Sequence, residues 1–228
     1  MMASRKGISS DDGKKRVVIV DDHPLVRQGL CALLAKDKDL VVSGEAESAT
    51  EALAVMEKEV PDIAIVDLTL KDSSGLELIK DIRIRFPNVL ILVVSMRDEG
   101  LYAERVLRAG ARGYVTKEEG PEKILEGLAK ILEGYIYVSE KMASKVMFKI
   151  VSGALTPEGN PIALLTDREL AIFELIGKGL PTREIAKHLH ISPRTVDSHR
   201  EHIKDKLKLD SGTELLKQAI DWVQIQKS

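Results

Sequence analysis

RVVIVDDHPLVRQGL, residues 16–30, changes its periodicity within a few positions. Val17-Val18-Ile19-Val20 is a β-branched run suited to a strand, and Pro24 suits the first turn of a helix. Leu25, Val26, Leu30, Leu33 and Leu34 then recur at helical spacing. The same change repeats downstream. Val41-Val42 restarts a strand, and Ala49, Ala52, Leu53 and Met56 mark a helix. Ile63-Ala64-Ile65-Val66 is wholly apolar, as a strand buried on both faces should be. Leu76–Phe86 reads as a helix stopped by Pro87, and Val89–Val94 is another apolar strand. Leu101–Ala109 is a helix closed by Gly110, followed by a strand over Arg112–Thr116 and a helix over Ile124–Leu132. Five strand–helix units in alternation predict an α/β fold with a doubly wound, five-stranded parallel sheet.

In such a sheet, ligands bind outside the carboxyl ends of the strands. The first polar residues after the apolar runs are Asp21 and Asp22, then Asp67, Ser95 and Lys117. Taken singly these are ordinary: Asp21-Asp22 could cap the next helix, and Asp67 could sit in a turn. In a parallel sheet all five converge on one edge. Three carboxylates there repel one another unless a cation intervenes. Hard oxygen ligands suit Mg²⁺, which keeps several waters and takes one or two carboxylates plus phosphate oxygens. A lysine and a hydroxyl complement a phosphoryl group, and an aspartate can itself attack phosphorus to give an aspartyl phosphate.

The constellation resembles the receiver domain of two-component response regulators. The likeness runs from Arg16 to Glu140 and rests on IVDDHP from Ile19, IVDLTL around Asp67, VVSM around Ser95 and AGARGYVTK ending at Lys117. It implies a flavodoxin-like fold with Asp67 as phosphoacceptor and Ser95 and Lys117 at the phosphoryl group. It further implies Mg²⁺ held by Asp22, Asp67 and the backbone carbonyl of Thr69, with Asp21 acting through water. Tyr114 reads from its strand as a half-buried aromatic, and the resemblance makes it a switch residue beside Ser95. Glu118 departs from the family, which often has proline there, so the loop after Lys117 is expected to differ locally.

The chain has 228 residues, 44% apolar and 31% charged, with net charge −2. That composition excludes a disordered or coiled-coil protein. Net charge is −7 over residues 16–140 but +3 over Arg183–Lys208, and four of the five histidines lie beyond residue 163. An acidic domain followed by one that meets a polyanion is the reading. Residues 1–15 are polar, with no apolar segment of a secretory signal, and no run reaches membrane-spanning length. They read as a flexible tail. A lone cysteine, Cys31, suits the cytoplasm.

Residues 141–163 read as a linker, with breakers concentrated from Ser152 to Pro161. Residues 164–228 read as a small all-α domain. Thr166-Asp167-Arg168-Glu169 is a capping box opening a helix with Leu170, Phe173, Leu175 and Ile176 inward, ended by Gly177 and Gly179. A short helix spans Thr182–Leu189, His190-Ile191 turns, and Ser192-Pro193 opens a helix reaching Leu207. Ser211–Glu214 caps a final helix. LTDRELAIFELIGKGLPTREIAKHLHISPRTVDSHREHIKDKL, residues 165–207, resembles the LuxR/NarL-type helix-turn-helix output domain.

That likeness implies double-stranded DNA as partner, with Pro193–Leu207 as the recognition helix. Arg194, Thr195, Asp197, Ser198, Arg200, Glu201, Lys204 and Lys206 are the candidate DNA contacts. Asp197 and Glu201 depart from the usual basic or neutral residues. The resemblance also implies a dimer seam on the last helix, through Leu216, Ala219, Ile220 and Trp222, with Trp222 alternatively in the core. His199 and His202 stand one helical turn apart. Zinc would need two more ligands, so the pair reads as phosphate contact or capping. The expected function is a transcription factor, phosphorylated by a sensor histidine kinase, that pairs as a homodimer and is not an enzyme. The alternatives are an adaptor whose second domain binds protein, and a Mg²⁺-dependent phosphohydrolase, which would lack a second catalytic acid beside Asp67.

Overall fold

A computed structural model describes residues 13–71, 74–152 and 161–225. They divide into a first unit, up to Met96 plus Val106–Ser139, and a second, Arg97–Arg105 plus Glu140 onward. The first unit alternates β1 (Lys15–Val20), α1 (Pro24–Leu34), β2 (Leu40–Ala46), α2 (Ala49–Lys58), β3 (Ile63–Val66) and α3 (Gly75–Arg85). It continues through β4 (Leu90–Ser95), α4 (Glu99–Ala109, of which the residues up to Arg105 are grouped with the second unit), β5 (Gly113–Thr116) and α5 (Pro121–Leu132). All strand pairs are parallel, in the order β2-β1-β3-β4-β5.

Both faces of the sheet are covered. Val17, Ile19, Ile63, Ile65, Leu92, Val94 and Val115 pack with Leu30 and Leu34 of α1 and Ile124, Leu128 and Ile131 of α5. The alternate residues, Val18, Val20, Ala64, Val66, Ile91, Val93 and Tyr114, are buried on the opposite face. The unbroken apolar runs follow from this two-sided burial. Strand β1 begins at Lys15, so the ordered sheet starts inside the expected tail; residues 1–12 of that tail lie outside the described residues.

The expected linker is partly regular structure. Residues Glu140–Ser152 form a helix, α6, in place of an irregular connection, because Met142, Val146 and Met147 keep an apolar spacing that no breaker interrupts before Gly153. Most of the breaker-rich stretch, residues 153–160, lies outside the described residues. The second unit continues with α7 (Asp167–Gly177), α8 (Thr182–His188), α9 (Pro193–Leu207) and α10 (Gly212–Ile225). The Thr166–Glu169 capping box forms as expected, and Ser192 caps α9. Gly179 supplies a left-handed φ of 81° just past α7. Gly177 serves packing instead: a Cβ there would stand 2.3 Å from the carbonyl oxygen of Ala219, so α7 and α10 can approach only over glycine.

Candidate functional site

Four of the five strands of the central sheet, all but β2, deliver polar residues to the same edge. Asp21 and Asp22 follow β1, Asp67 follows β3, Ser95 closes β4 and Lys117 follows β5. Backbone bonds from the Asp67 N–H to the Val20 carbonyl (2.9 Å) and from the Asp21 N–H to the Ala46 carbonyl (3.1 Å) hold these ends in line. Asp21, Asp67 and Ser95 are buried, at 2%, 3% and 0% exposure. Gly75 allows α3 to start against the Asp67 loop, since a Cβ there would lie 2.1 Å from the Asp67 carbonyl oxygen.

The Lys117 ammonium donates to Asp67 Oδ2 at 2.7 Å and lies 2.6 Å from Asp21 Oδ2. The Ser95 hydroxyl donates to Asp67 Oδ1 at 2.6 Å, and the Thr69 N–H reaches the same oxygen at 3.3 Å. Burial would push the Lys117 ammonium toward its neutral form, but the Asp67 and Asp21 carboxylates outweigh it and raise its pKa above the ordinary value. Lys117 is therefore a fixed cation between two anions. After it, a 3₁₀ turn over Lys117–Glu119 is held by a Thr116–Glu119 capping box, so the glutamate at position 118 sits in a locally satisfied turn.

Two neighbours escaped sequence reasoning. The His23 N–H donates to Asp21 Oδ1 at 2.8 Å, and its Nδ1 lies 2.7 Å from Asp22 Oδ1. Arg27 donates to the Asp21 backbone carbonyl at 2.7 Å. Only the first left a sequence signal, the Asp-x-His spacing of an Asx turn. Asp21, Asp22, His23 and Asp67 can bring one ligand atom each within 4.8 Å of one another. Despite the nearby imidazole, Asp22 Oδ1 is buried and, among the described residues, takes no hydrogen bond of sound geometry. An orphaned carboxylate oxygen among hard oxygen donors, with more negative charge than one lysine balances, fits a divalent cation such as Mg²⁺.

Tyr114 is wholly buried rather than half-buried, because its strand is covered on both faces. It lies in register with Val93, two residues before Ser95.

In the second unit, α9 spans the expected Pro193–Leu207, with Val196, Ile203 and Leu207 inward. Arg194, Thr195, Asp197, Ser198 and Glu201 are exposed, and Arg200 and Lys204 half-buried. Of the two acidic departures, Glu201 pairs with Lys204 at 2.8 Å, while Asp197 accepts from the Thr182 hydroxyl at 3.3 Å, a bond that orients the carboxylate without neutralising it. Lys206 does not join the outward set. Its ammonium donates to the buried Glu169 carboxylate at 2.6 Å, because the helical turn carrying it faces α7.

The expected seam on α10 needs a similar correction. Ala219 (0% exposed) and Trp222 (7%) belong to the core, Ala219 against Gly177 and Trp222 against Phe173 at 5.7 Å between rings. Leu216 is exposed and Ile220 half-buried. Of the four, Ala219 and Trp222 pack inward, while Leu216 and Ile220 lie on the part of α10 that stays accessible.

Residues 17–129 match the response regulator receiver domain, and residues 163–219 match the luxR family of bacterial regulatory proteins. The chain is 34% identical over 210 residues to the oxygen regulatory protein NreC of Staphylococcus epidermidis, covering 90% of this chain and 96% of that one. The chain belongs to the two-component response regulators with a LuxR-type output domain. NreC of Staphylococcus aureus is 35% identical over 209 residues, 90% of this chain and 96% of its own. Among solved structures, RcsB from Salmonella enterica serovar Typhimurium, bound to a promoter in the presence of the phosphomimetic BeF₃⁻, matches with a TM-score of 0.71. Its identity is 28%, over 90% of this chain and 98% of that one. A LuxR-family regulator from Aurantimonas covers 60% of this chain and 99% of its own at 33% identity, with a TM-score of 0.57. This response regulator is a transcriptional regulator rather than an enzyme, and nothing in these relatives supports the adaptor alternative. Among the described residues, no helix is long and apolar enough to cross a membrane.

Proposed function

We propose that Asp67 of this response regulator is the phosphoacceptor for a sensor histidine kinase, and that its phosphorylation controls binding of the output domain to double-stranded DNA in the cytoplasm. The observation that carries this is the Asp67 carboxylate, buried at a strand end and held between the Lys117 ammonium and the Ser95 hydroxyl.

A carboxylate oxygen of Asp67 attacks the phosphorus of a phosphohistidine. The O–P bond forms as the P–N bond breaks, and the electron pair returns to the imidazole. Lys117 stays protonated throughout, so its ammonium can pass from the carboxylate to a phosphoryl oxygen and offset the added charge. The Ser95 hydroxyl, now donating to Asp67 Oδ1, has the same new acceptor available. Tyr114, in the same sheet edge, follows the Ser95 movement. Asp22, Asp67 and the Thr69 carbonyl, with Asp21 through water, would hold Mg²⁺, which supplies charge neutralisation where carboxylate and phosphoryl oxygens meet. Ser95 and Lys117 thus convert one covalent event into two altered hydrogen bonds, a local change able to bias a two-state element.

On the output domain, Arg194, Thr195, Asp197, Ser198, Arg200, Glu201 and Lys204 form the face that meets DNA, the basic ones at phosphates or guanine edges. RcsB, solved bound to a promoter and as two dimers on two parallel DNAs, supports DNA as partner and a homodimer as the active species.

Acetyl phosphate with Mg²⁺ should label the wild-type chain and leave Asp67→Asn unlabelled. Gel-shift titration against genomic fragments should then retain fragments with labelled wild type at lower protein concentration than with Asp67→Asn. Wild-type labelling of Asp67→Asn overturns the acceptor, and no retained fragment at any salt overturns the DNA reading.

A further inference from the structure

His199 and His202 gain in three dimensions the neighbour that the sequence withheld. Glu169, on α7, comes beside them on α9, and the three can offer ligand atoms all within 4.8 Å of one another. The two imidazole rings stand edge to face, 6.3 Å between centroids. His199 Nδ1 is buried and finds no hydrogen-bond partner among the described residues. We propose that Glu169, His199 and His202 form a transition-metal site of the Zn²⁺ class, tying the recognition helix α9 to α7.

The ligand chemistry fits that class. Two neutral imidazoles and one carboxylate are a borderline set favoured by Zn²⁺, Co²⁺, Ni²⁺ and Cu²⁺ over Mg²⁺ or Ca²⁺, and three protein ligands leave a position for water. A buried imidazole nitrogen without a partner is costly unless something fills it, and a metal ion accepts such a lone pair. The carboxylate is already oriented. The Lys206 ammonium at 2.6 Å and the Thr166 N–H at 2.7 Å both bind Glu169 Oε2, so neither occupies Oε1. Hydrogen-bonded carboxylate ligands of this kind are the usual outer support of a metal centre. The Lys206 charge opposes a cation nearby, which places the site among moderate-affinity ones that keep a water ligand.

Because the acidic edge of the receiver also attracts divalent ions, the test uses the full chain in excess Mg²⁺. Co²⁺ is the probe, since imidazole ligation shifts and intensifies its visible d–d bands relative to the aqua ion. Wild type and Asp22→Asn should both develop these bands at one Co²⁺ per chain. His202→Asn, at an exposed position where folding is least at risk, should weaken Co²⁺ binding by at least about the 10-fold that loss of an outer-shell partner costs. His199→Gln should do the same. Zn²⁺ should raise the melting temperature read by fluorescence of Trp222, the sole tryptophan, in wild type but not in His202→Asn. Bands of the aqua ion only, under excess Mg²⁺, would overturn the site. So would bands of wild-type strength in His202→Asn, or bands lost in Asp22→Asn and kept in both histidine variants.

Discussion

Both domains bury a carboxylate against a lysine, and the two pairs are not alike. In the output domain Glu169 meets Lys206 one to one at 2.6 Å. Burial would raise its carboxyl pKa, yet the Lys206 bond and the Thr166 backbone and hydroxyl together bring it below the ordinary value. The arrangement closes a capping box and balances its charge. In the receiver, Lys117 is shared by Asp21 and Asp67, with Asp22 close by and its Oδ1, beside the His23 imidazole, without a hydrogen bond of sound geometry among the described residues. Negative charge there exceeds positive charge, and the surplus sits at open strand ends. A buried ion pair alone therefore signals little. A surplus of carboxylates at the carboxyl edge of a parallel sheet is what the proposed cation and phosphoryl chemistry would use.

The sharpest way to break this contrast is Lys117→Ala. It should keep some labelling by acetyl phosphate and lose phosphorylation-dependent pairing entirely, as seen by size-exclusion chromatography with light scattering. Normal pairing in the variant would deny Lys117 its switch role. Next comes the core of the output domain. Trp222→Ala should cost about 3–5 kcal/mol of that domain's stability by leaving a cavity beside Phe173. Leu216→Ala, at an exposed position, should stay within about 0.5 kcal/mol. Urea unfolding followed by circular dichroism separates them, and equal costs would return Trp222 to a seam.

A smaller effect distinguishes the lysine of the balanced pair from a DNA contact. Arg194→Ala should weaken operator binding by about 1–3 kcal/mol if it reads guanine, or reduce the salt slope by about one if it meets phosphate. Lys206→Met should lower domain stability and leave the salt slope unchanged. The smallest effect is one of pH. Because the Glu169 carboxyl is lowered in the folded state, its contribution is present above the unfolded glutamate pKa of about 4.3 and is lost as pH falls through the lower folded value. Trp222 fluorescence during acid titration should show Glu169→Gln less sensitive than wild type in that window. Equal sensitivity would remove Glu169 from the balance.

Much of this was readable from residue order. Apolar runs placed the strands, and the polar residues that follow β1, β3, β4 and β5 placed Asp21, Asp22, Asp67, Ser95 and Lys117 at one edge. That works because parallel topology leaves each strand end little choice of position. The α9 limits were readable too, since Ser192 and Pro193 are local signals. The faces of α10, the inward turn of Lys206 and the helix over Glu140–Ser152 were not. Helical periodicity names a face but not which neighbour covers it.

From residue order alone came the alternating sheet, the carboxylate edge and the two-helix reading head, because each rests on spacing along one segment. Only the tertiary structure decided that Trp222 is core, that Lys206 belongs to Glu169 and that Glu169 stands beside two histidines. Those outcomes depend on how closely α7, α9 and α10 approach, and that distance is set by side chains far apart in the chain, with Gly177 under Ala219 the plainest case.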